Sequence, residues 1–328
     1  MRAAASEDER GQRVIAATER FEVHQTTPPG GGRAVLSVAR WELQRLVARH
    51  LTWALAAGAA LFFGALLLVK HSWVIQQAGA PSAPGALTIV GSSPLGLLYE
   101  VTFAVLLLFG MCLPFVAADG VAHDYQERVH ELLMTTPTPG WAYVVGRYLA
   151  VLLLGTVLSA ETLIAVLVAD EVLSRTAASY PPPAVGTLLT VWALVVLPAA
   201  VVLLSLSFAL GTCWPRLASV VKLVVLLAWI GMFVSGRGGN QPAWLQSWFP
   251  TWDPTSNSLA AAGQALALRQ YAQLAAGGVG RNAAALRAQS QLPALQPWVL
   301  PHLGLVALGL ACAALVAVGF QRFRTVLE

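Results

Sequence analysis

Six stretches of this chain are long and apolar enough to cross a lipid bilayer as helices: Leu51 to Val69, Leu98 to Ala118, Tyr143 to Ala169, Val185 to Gly211, Leu217 to Val234 and Trp298 to Phe320. A spanning helix needs about 20 mostly apolar residues to cross roughly 30 Å of hydrocarbon. Helix is also the one open-chain structure that satisfies its own backbone there. The expected fold class is therefore an all-α integral membrane protein with six transmembrane helices. The charge content agrees: 11% of the residues are charged and 57% are hydrophobic, whereas a soluble domain carries charge on roughly a quarter of its residues.

The positions of the arginines give this bundle a direction. The net charge of +4 would suggest nucleic acid only if the cations formed one surface patch. Instead Arg33, Arg40, Arg45 and Arg49 precede the first span, Arg128 and Arg147 flank the second and third, Arg216 lies between the fourth and fifth, and Arg322 and Arg324 follow the sixth. That is the positive-inside pattern for an even number of spans, and it predicts a multi-pass plasma-membrane protein with both termini in the cytoplasm and no nucleic-acid partner. The stretch from Ser235 to Pro297 also holds Arg237, Arg269, Arg281 and Arg287, but long loops translocate largely regardless of charge. The start of the chain has no apolar core of a cleavable signal, so the first span is read as an uncleaved anchor. Cys112, Cys213 and Cys312 fall within or at the ends of spans and offer neither a disulfide framework nor a metal spacing.

Between these spans the chain divides as follows. Residues 1–33 end in Thr-Thr-Pro-Pro-Gly-Gly-Gly and read as a flexible cytoplasmic tail, residues 34–320 form the membrane domain, and residues 321–328 form a short cytoplasmic tail. From Ala34 to His50, Val35, Leu36, Val38, Ala39, Leu43, Leu46 and Val47 recur at helical spacing with Arg40, Glu42, Gln44, Arg45 and Arg49 between them. This predicts an amphipathic interfacial helix turning into the first span at His50, or else an early charged start of that span. The segment from Asp119 to Gly140 is dense in charge, and Ala122 to Met134 has helical composition stopped by Pro137, Pro139 and Gly140. Such a helix suits either a docking surface or a plain linker. Outside the membrane, residues 235–297 present Trp244, Trp248 and Trp252 as an interfacial belt, then two short helices, Ser258 to Ala275 and Asn282 to Gln289, in a small external cap or a lid.

The chemistry missing from this chain is informative. A P-loop needs a Lys followed by Ser or Thr, and the two lysines, Lys70 and Lys222, are followed by His71 and Leu223. Work driven by ATP would need a second polypeptide. His130-Glu131 begins a zinc-protease pattern, but Met134 stands where the second His belongs. No Gly-x-Ser-x-Gly elbow occurs, and no cofactor or metal site is expected. Glu161 lies deep in the third span, where a lone charge costs a few kcal/mol. It is expected to face the bundle interior, to pair, or to be protonated, either lining a pathway or hydrogen-bonding a neighbouring Ser or Thr. Lys222 and Asp119 lie near the interface and are expected to snorkel. Pro114 and Pro198 are candidate kinks.

The order of parts resembles the type-2 ATP-binding-cassette (ABC) transporter permease family, which has an interfacial "elbow" helix, six spans, a charged helix after the second span and a helical external segment before the last. Glu127, Arg128, Glu131, Leu132, Leu133, Thr136, Pro137, Gly146 and Arg147 match that family's motif, while Val129-His130 departs from its usual Gly-Thr. The resemblance implies that the Ala122 to Met134 segment is a coupling helix, with Asp124, Glu127, Arg128, Glu131, Leu132 and Leu133 contacting a separate cytoplasmic ATPase. It also implies that ATP and Mg bind in that partner and that the permease pairs with a second copy or a paralogue within membrane lipid. The expected function is a non-enzymatic permease subunit of an exporter working by alternating access. Two other readings stay open: a proton- or ion-coupled secondary transporter using Glu161, and a non-transporting membrane anchor of a larger complex.

Overall fold

The computed structural model describes residues 31–69, 72–75, 87–119, 121, 124, 139–176, 180, 182–235 and 248–324. Among them six helices are long and apolar enough to cross a membrane: Thr52–Val69, Pro94–Ala117, Gly140–Thr176, Val185–Cys213, Pro215–Ser235 and Gln296–Phe320. Each overlaps one of the six apolar stretches, and the protein is a predominantly helical, multi-pass membrane bundle. In chain order the longer helices are α1 (Gly31–Ala48), α2 (His50–Val69), α3 (Pro94–Ala117), α4 (Gly140–Thr176), α5 (Val185–Cys213), α6 (Ala218–Ser235), α7 (Asn257–Ala276), α8 (Arg281–Gln289) and α9 (Gln296–Arg324), with a single turn at Phe249–Trp252 before α7.

The centre of the bundle is α5, which packs against α3, α4, α6 and α9. Val191, Val195, Leu203, Leu204 and Phe208 of α5 are all buried. Lipid is as apolar as these side chains, so close packing and hydrogen bonds between helices must supply the cohesion that water would otherwise provide. Four such bonds are buried. Trp192 Nε1 of α5 donates to Ser159 O at 2.9 Å and Ser159 Oγ at 2.8 Å on α4, the Tyr148 and Ser205 hydroxyls lie 2.7 Å apart between the same helices, and Trp229 Nε1 of α6 donates to Leu106 O of α3 at 3.0 Å. Trp229 reaches that carbonyl because Gly110 faces it, where a Cβ would collide with the indole.

Proline sets a local irregularity in α5. Pro198 has no N–H for the Leu194 carbonyl, and the turn just before it, Trp192–Val196, is π-helical. The widened turn carries the Trp192 ring that bonds to α4. Helix α3 contains a similar π turn, Leu97–Val101, near its start.

Three boundaries shift. Helix α1 begins at Gly31, so the boundary at residue 33 moves into a helix; residues 1–30 lie outside the described residues. It ends at Ala48 rather than His50, and a break at Arg49 separates it from α2. Helix α9 continues to Arg324, through the start of the expected tail at 321. The helical bundle carries a short hairpin besides: Ser72–Ile75 (β1) and Leu87–Val90 (β2) pair antiparallel, Ser72 opposite Val90 and Ile75 opposite Leu87. Each strand is only four residues long, too short for a period-2 pattern to stand out from the adjoining apolar sequence. Strand β2 belongs to the cap that α7 and α8 build. Leu87 and Ile89 pack with Ala267, Tyr271, Ala284 and Ala288, and Val90 N–H donates to Gln289 Oε1 at 2.8 Å.

Candidate functional site

At the end of the bundle opposite the cap, α1 lies along the first turns of α4. Val35, Leu46 and Ala34 of α1 are buried, with Ala34 and Val35 against Ala142. The close approach depends on Gly146: a Cβ there would sit 2.7 Å from Val38 Cβ and 2.8 Å from Val35 O, so any larger residue would push α1 away. The next residue, Arg147, then projects beneath α1 with its side chain fully buried.

Burying a guidinium without counter-charges is prohibitive, and two carboxylates meet it there. Arg147 Nη2 contacts Asp124 Oδ2, and Glu42 Oε2 of α1 stands 3.4 Å from the same nitrogen. The second distance gives charge attraction but is long for a good hydrogen bond. A second arginine completes the arrangement, with Arg45 Nη2 2.9 Å from Glu42 Oε1 and Arg45 Nη1 3.2 Å from Asp124 Oδ1. Two carboxylates and two guanidinium groups leave no net formal charge. Aromatic rings close the site. The Tyr143 hydroxyl donates to Asp124 Oδ2, the Arg147 guanidinium lies 4.9 Å from the Tyr143 ring centroid, and Arg45 and Arg147 approach the Trp41 ring to 5.4 and 5.7 Å. Three segments, α1, α4 and the stretch holding Asp124, are thereby joined.

Asp124 is thus the one expected contact residue of the Ala122 to Met134 segment that the structure places, and it is turned inward to Arg45, Arg147 and Tyr143. Glu127, Arg128, Glu131, Leu132 and Leu133 lie outside the described residues, as do Thr136 and Pro137. Lys222 and Asp119 form an ion pair between α6 and the end of α3, with Lys222 5.7 Å from the Phe115 ring. Glu161 is half-buried, and it makes no hydrogen bond or ion pair with the described residues. Ser159 and Thr162, the nearby hydroxyls, are turned the other way, Ser159 to Trp192 and Thr162 to the Ser159 carbonyl.

Further along α4 stands Asp170, fully buried, which the sequence reading left just past the end of the third span. Its Oδ1 accepts from the Tyr180 hydroxyl at 3.3 Å, and Oδ2 has no hydrogen-bond partner among the described residues. Burial first, and the Asp170 charge second, push the Tyr180 phenol up to about 12, so it remains a donor. In the cap, Asp253 is fully buried and organises the start of α7. It accepts from Thr255 N–H and hydroxyl at 2.9 and 2.6 Å through Oδ1, and from Ser258 N–H and hydroxyl at 3.0 Å each through Oδ2. His302 of α9 lies 3.2 Å from Ser256 Oγ and 3.3 Å from Asp253 O, while Asn257 Nδ2 donates to Phe233 O at the end of α6. These contacts tie the cap to two spans.

The sequence matches no family model and no curated protein. The α1–α4 junction is the most elaborate polar site described, and sequence reading saw its members without assembling them. One signal pointed to it: Arg147 falls inside the apolar stretch from Tyr143 to Ala169, and a charge there demands a counter-charge.

Proposed function

We propose that this chain is the membrane-spanning permease subunit of an ATP-driven transporter of the type-2 ABC kind, working as an exporter with a separate cytoplasmic ATPase. The observation that carries the reading is the junction of Glu42, Arg45, Asp124 and Arg147. Asp124 opens the charged segment between the second and third spans. Its two guanidinium partners fasten it to α1 and to the opening turns of α4, so displacement of that segment is passed to both helices. A chain that has to receive a mechanical input at this segment needs such a connection; a plain linker does not. In this reading ATP and Mg bind in the partner, and the Glu127 to Leu133 surface is the part that would meet it.

Alternating access then follows from the fastening. Closure of the ATPase pulls the Asp124 segment, α1 and α4 move with it, and the packing of α4 on α5 through Trp192 and Ser159 carries the change to the centre of the bundle. A second permease copy or a paralogue completes the pathway.

The test is reversal of the contact surface. Glu127→Lys combined with Glu131→Lys should leave the chain folded in the membrane and abolish co-purification with a P-loop ATPase partner, or stimulation of that partner's ATP hydrolysis. Normal association and transport by the double variant would sink the coupling assignment. ATP-independent uptake driven by a proton gradient would favour the secondary-transporter reading instead.

A further inference from the structure

Among the described residues, the other buried charged groups of the spans have partners inside the chain. Arg147 has Glu42 and Asp124, Lys222 has Asp119, and Asp170 has Tyr180. Glu161 has none. It lies 14 residues after Arg147 and 9 before Asp170, which is about 21 Å and about 14 Å along the helix axis. A glutamate side chain reaches neither membrane surface from there.

The surroundings of Glu161 narrow what can meet it. One turn before and one and two turns after, on the same face of α4, stand Val157, Ile164 and Val168, exposed to 55%, 58% and 57%. Hydrocarbon offers a carboxylate nothing. A second copy of this chain facing this surface would bring another Glu161, since Arg147 and Lys222 are already engaged by carboxylates of their own chain. What fits is a molecule joining one positive charge to a broad apolar body: the charge meets Glu161 where the low dielectric strengthens attraction, and the body covers the valine and isoleucine side chains.

We propose that the Glu161 face of α4 is a binding site for amphiphilic cations, entered from the bilayer, and that such cations are substrates. The substrate role rests on the permease reading, whereas the binding site does not.

The experiment uses the purified full chain in lipid nanodiscs and two probes of the same shape and opposite charge, tetraphenylphosphonium and tetraphenylborate, measured by equilibrium dialysis. Phosphonium binding should weaken at least about tenfold in Glu161→Gln, a loss of about 1.4 kcal/mol, and stay near the parent value in Glu161→Asp. Borate should not distinguish the three proteins. Equal phosphonium binding by the parent and Glu161→Gln, with both eluting as the same folded species, overturns the site. A photo-crosslinker at Ile164 that captures another polypeptide in native membranes, undisplaced by phosphonium, overturns it in favour of a partner helix bearing a basic residue. The two readings fail separately. Phosphonium binding through Glu161 without any ATPase association keeps the site and removes the permease; ATPase coupling with unchanged binding does the reverse.

Discussion

At the α1 end of the bundle, four charged side chains from three segments neutralise one another; at the cap end, one carboxylate, Asp253, is turned onto backbone N–H groups and hydroxyls of its own loop. At the first end Glu42 and Arg45 are neighbours on one helix, but the other partners are far apart in sequence, 79 positions for Arg45 and Asp124. At the second they lie within 5 positions of Asp253. The first arrangement exists only once α1, α4 and the Asp124 segment have come together, and each carboxylate there is shared between two guanidinium groups. A shared carboxylate can shift its weight from one cation to the other as the segments move. The Asp253 arrangement is local, has every acceptor used, and fixes one geometry. One end is suited to transmitting displacement, the other to holding a shape.

The largest expected effect breaks the long-range end. Arg147→Met leaves Glu42 and Asp124 buried with Arg45 alone, and removal of one partner from a buried ionic group costs about 3–5 kcal/mol. The loss is read as the unfolding midpoint of the chain titrated with SDS in mixed micelles. Adding Glu42→Gln should restore much of it, because Asp124 and Arg45 then remain as a neutral pair. A single variant costing well under 1 kcal/mol would show that water reaches these groups. The local end should respond less: Asp253→Ala removes a helix cap and its hydroxyl contacts, for about 2 kcal/mol. Hydrogen exchange in that variant should speed up through the first turn of α7 and leave α1 unchanged; a change at both ends would erase the distinction. The smallest effect sharpens the contrast between buried and accessible charge. Lys222→Met breaks a pair whose Asp119 side chain is 40% exposed, and solvent screening holds the cost below about 1 kcal/mol. The same SDS titration should scarcely move.

Apolar runs made the six spans legible, and helical spacing gave α1, α7 and α8 to within a few residues. Side-chain pairing was not legible, for a physical reason. Glu42 stands among Arg40, Gln44 and Arg45 and has the sequence context of a solvated face; only the approach of α4, permitted by Gly146, removes it from water. Asp170 lies one residue past the apparent end of the third span, because polar Asp170 and Glu171 end the apolar run while the helix continues to Thr176. Glu161 was legible as an intramembrane acid, but its exposure on the outer side of α4 depends on which neighbours turn away, and no periodicity within α4 records that. Strand β2 escaped notice because its two buried residues, Leu87 and Ile89, find their partners in helices some 180 to 200 positions later.

The 37 residues of α4 contain no proline, whereas α3, α5 and α9 contain Pro114, Pro198 and Pro301. An uninterrupted helix of that length measures about 55 Å, nearly twice the hydrocarbon thickness, and it carries Arg147 near one end and Asp170 near the other. It is a stiff lever lying between two polar anchor points. Swung by about 10° around one anchor, such a rod carries its far tip about 8 Å sideways, so small movements at the ionic junction are geometrically amplified by the time they arrive beneath the cap.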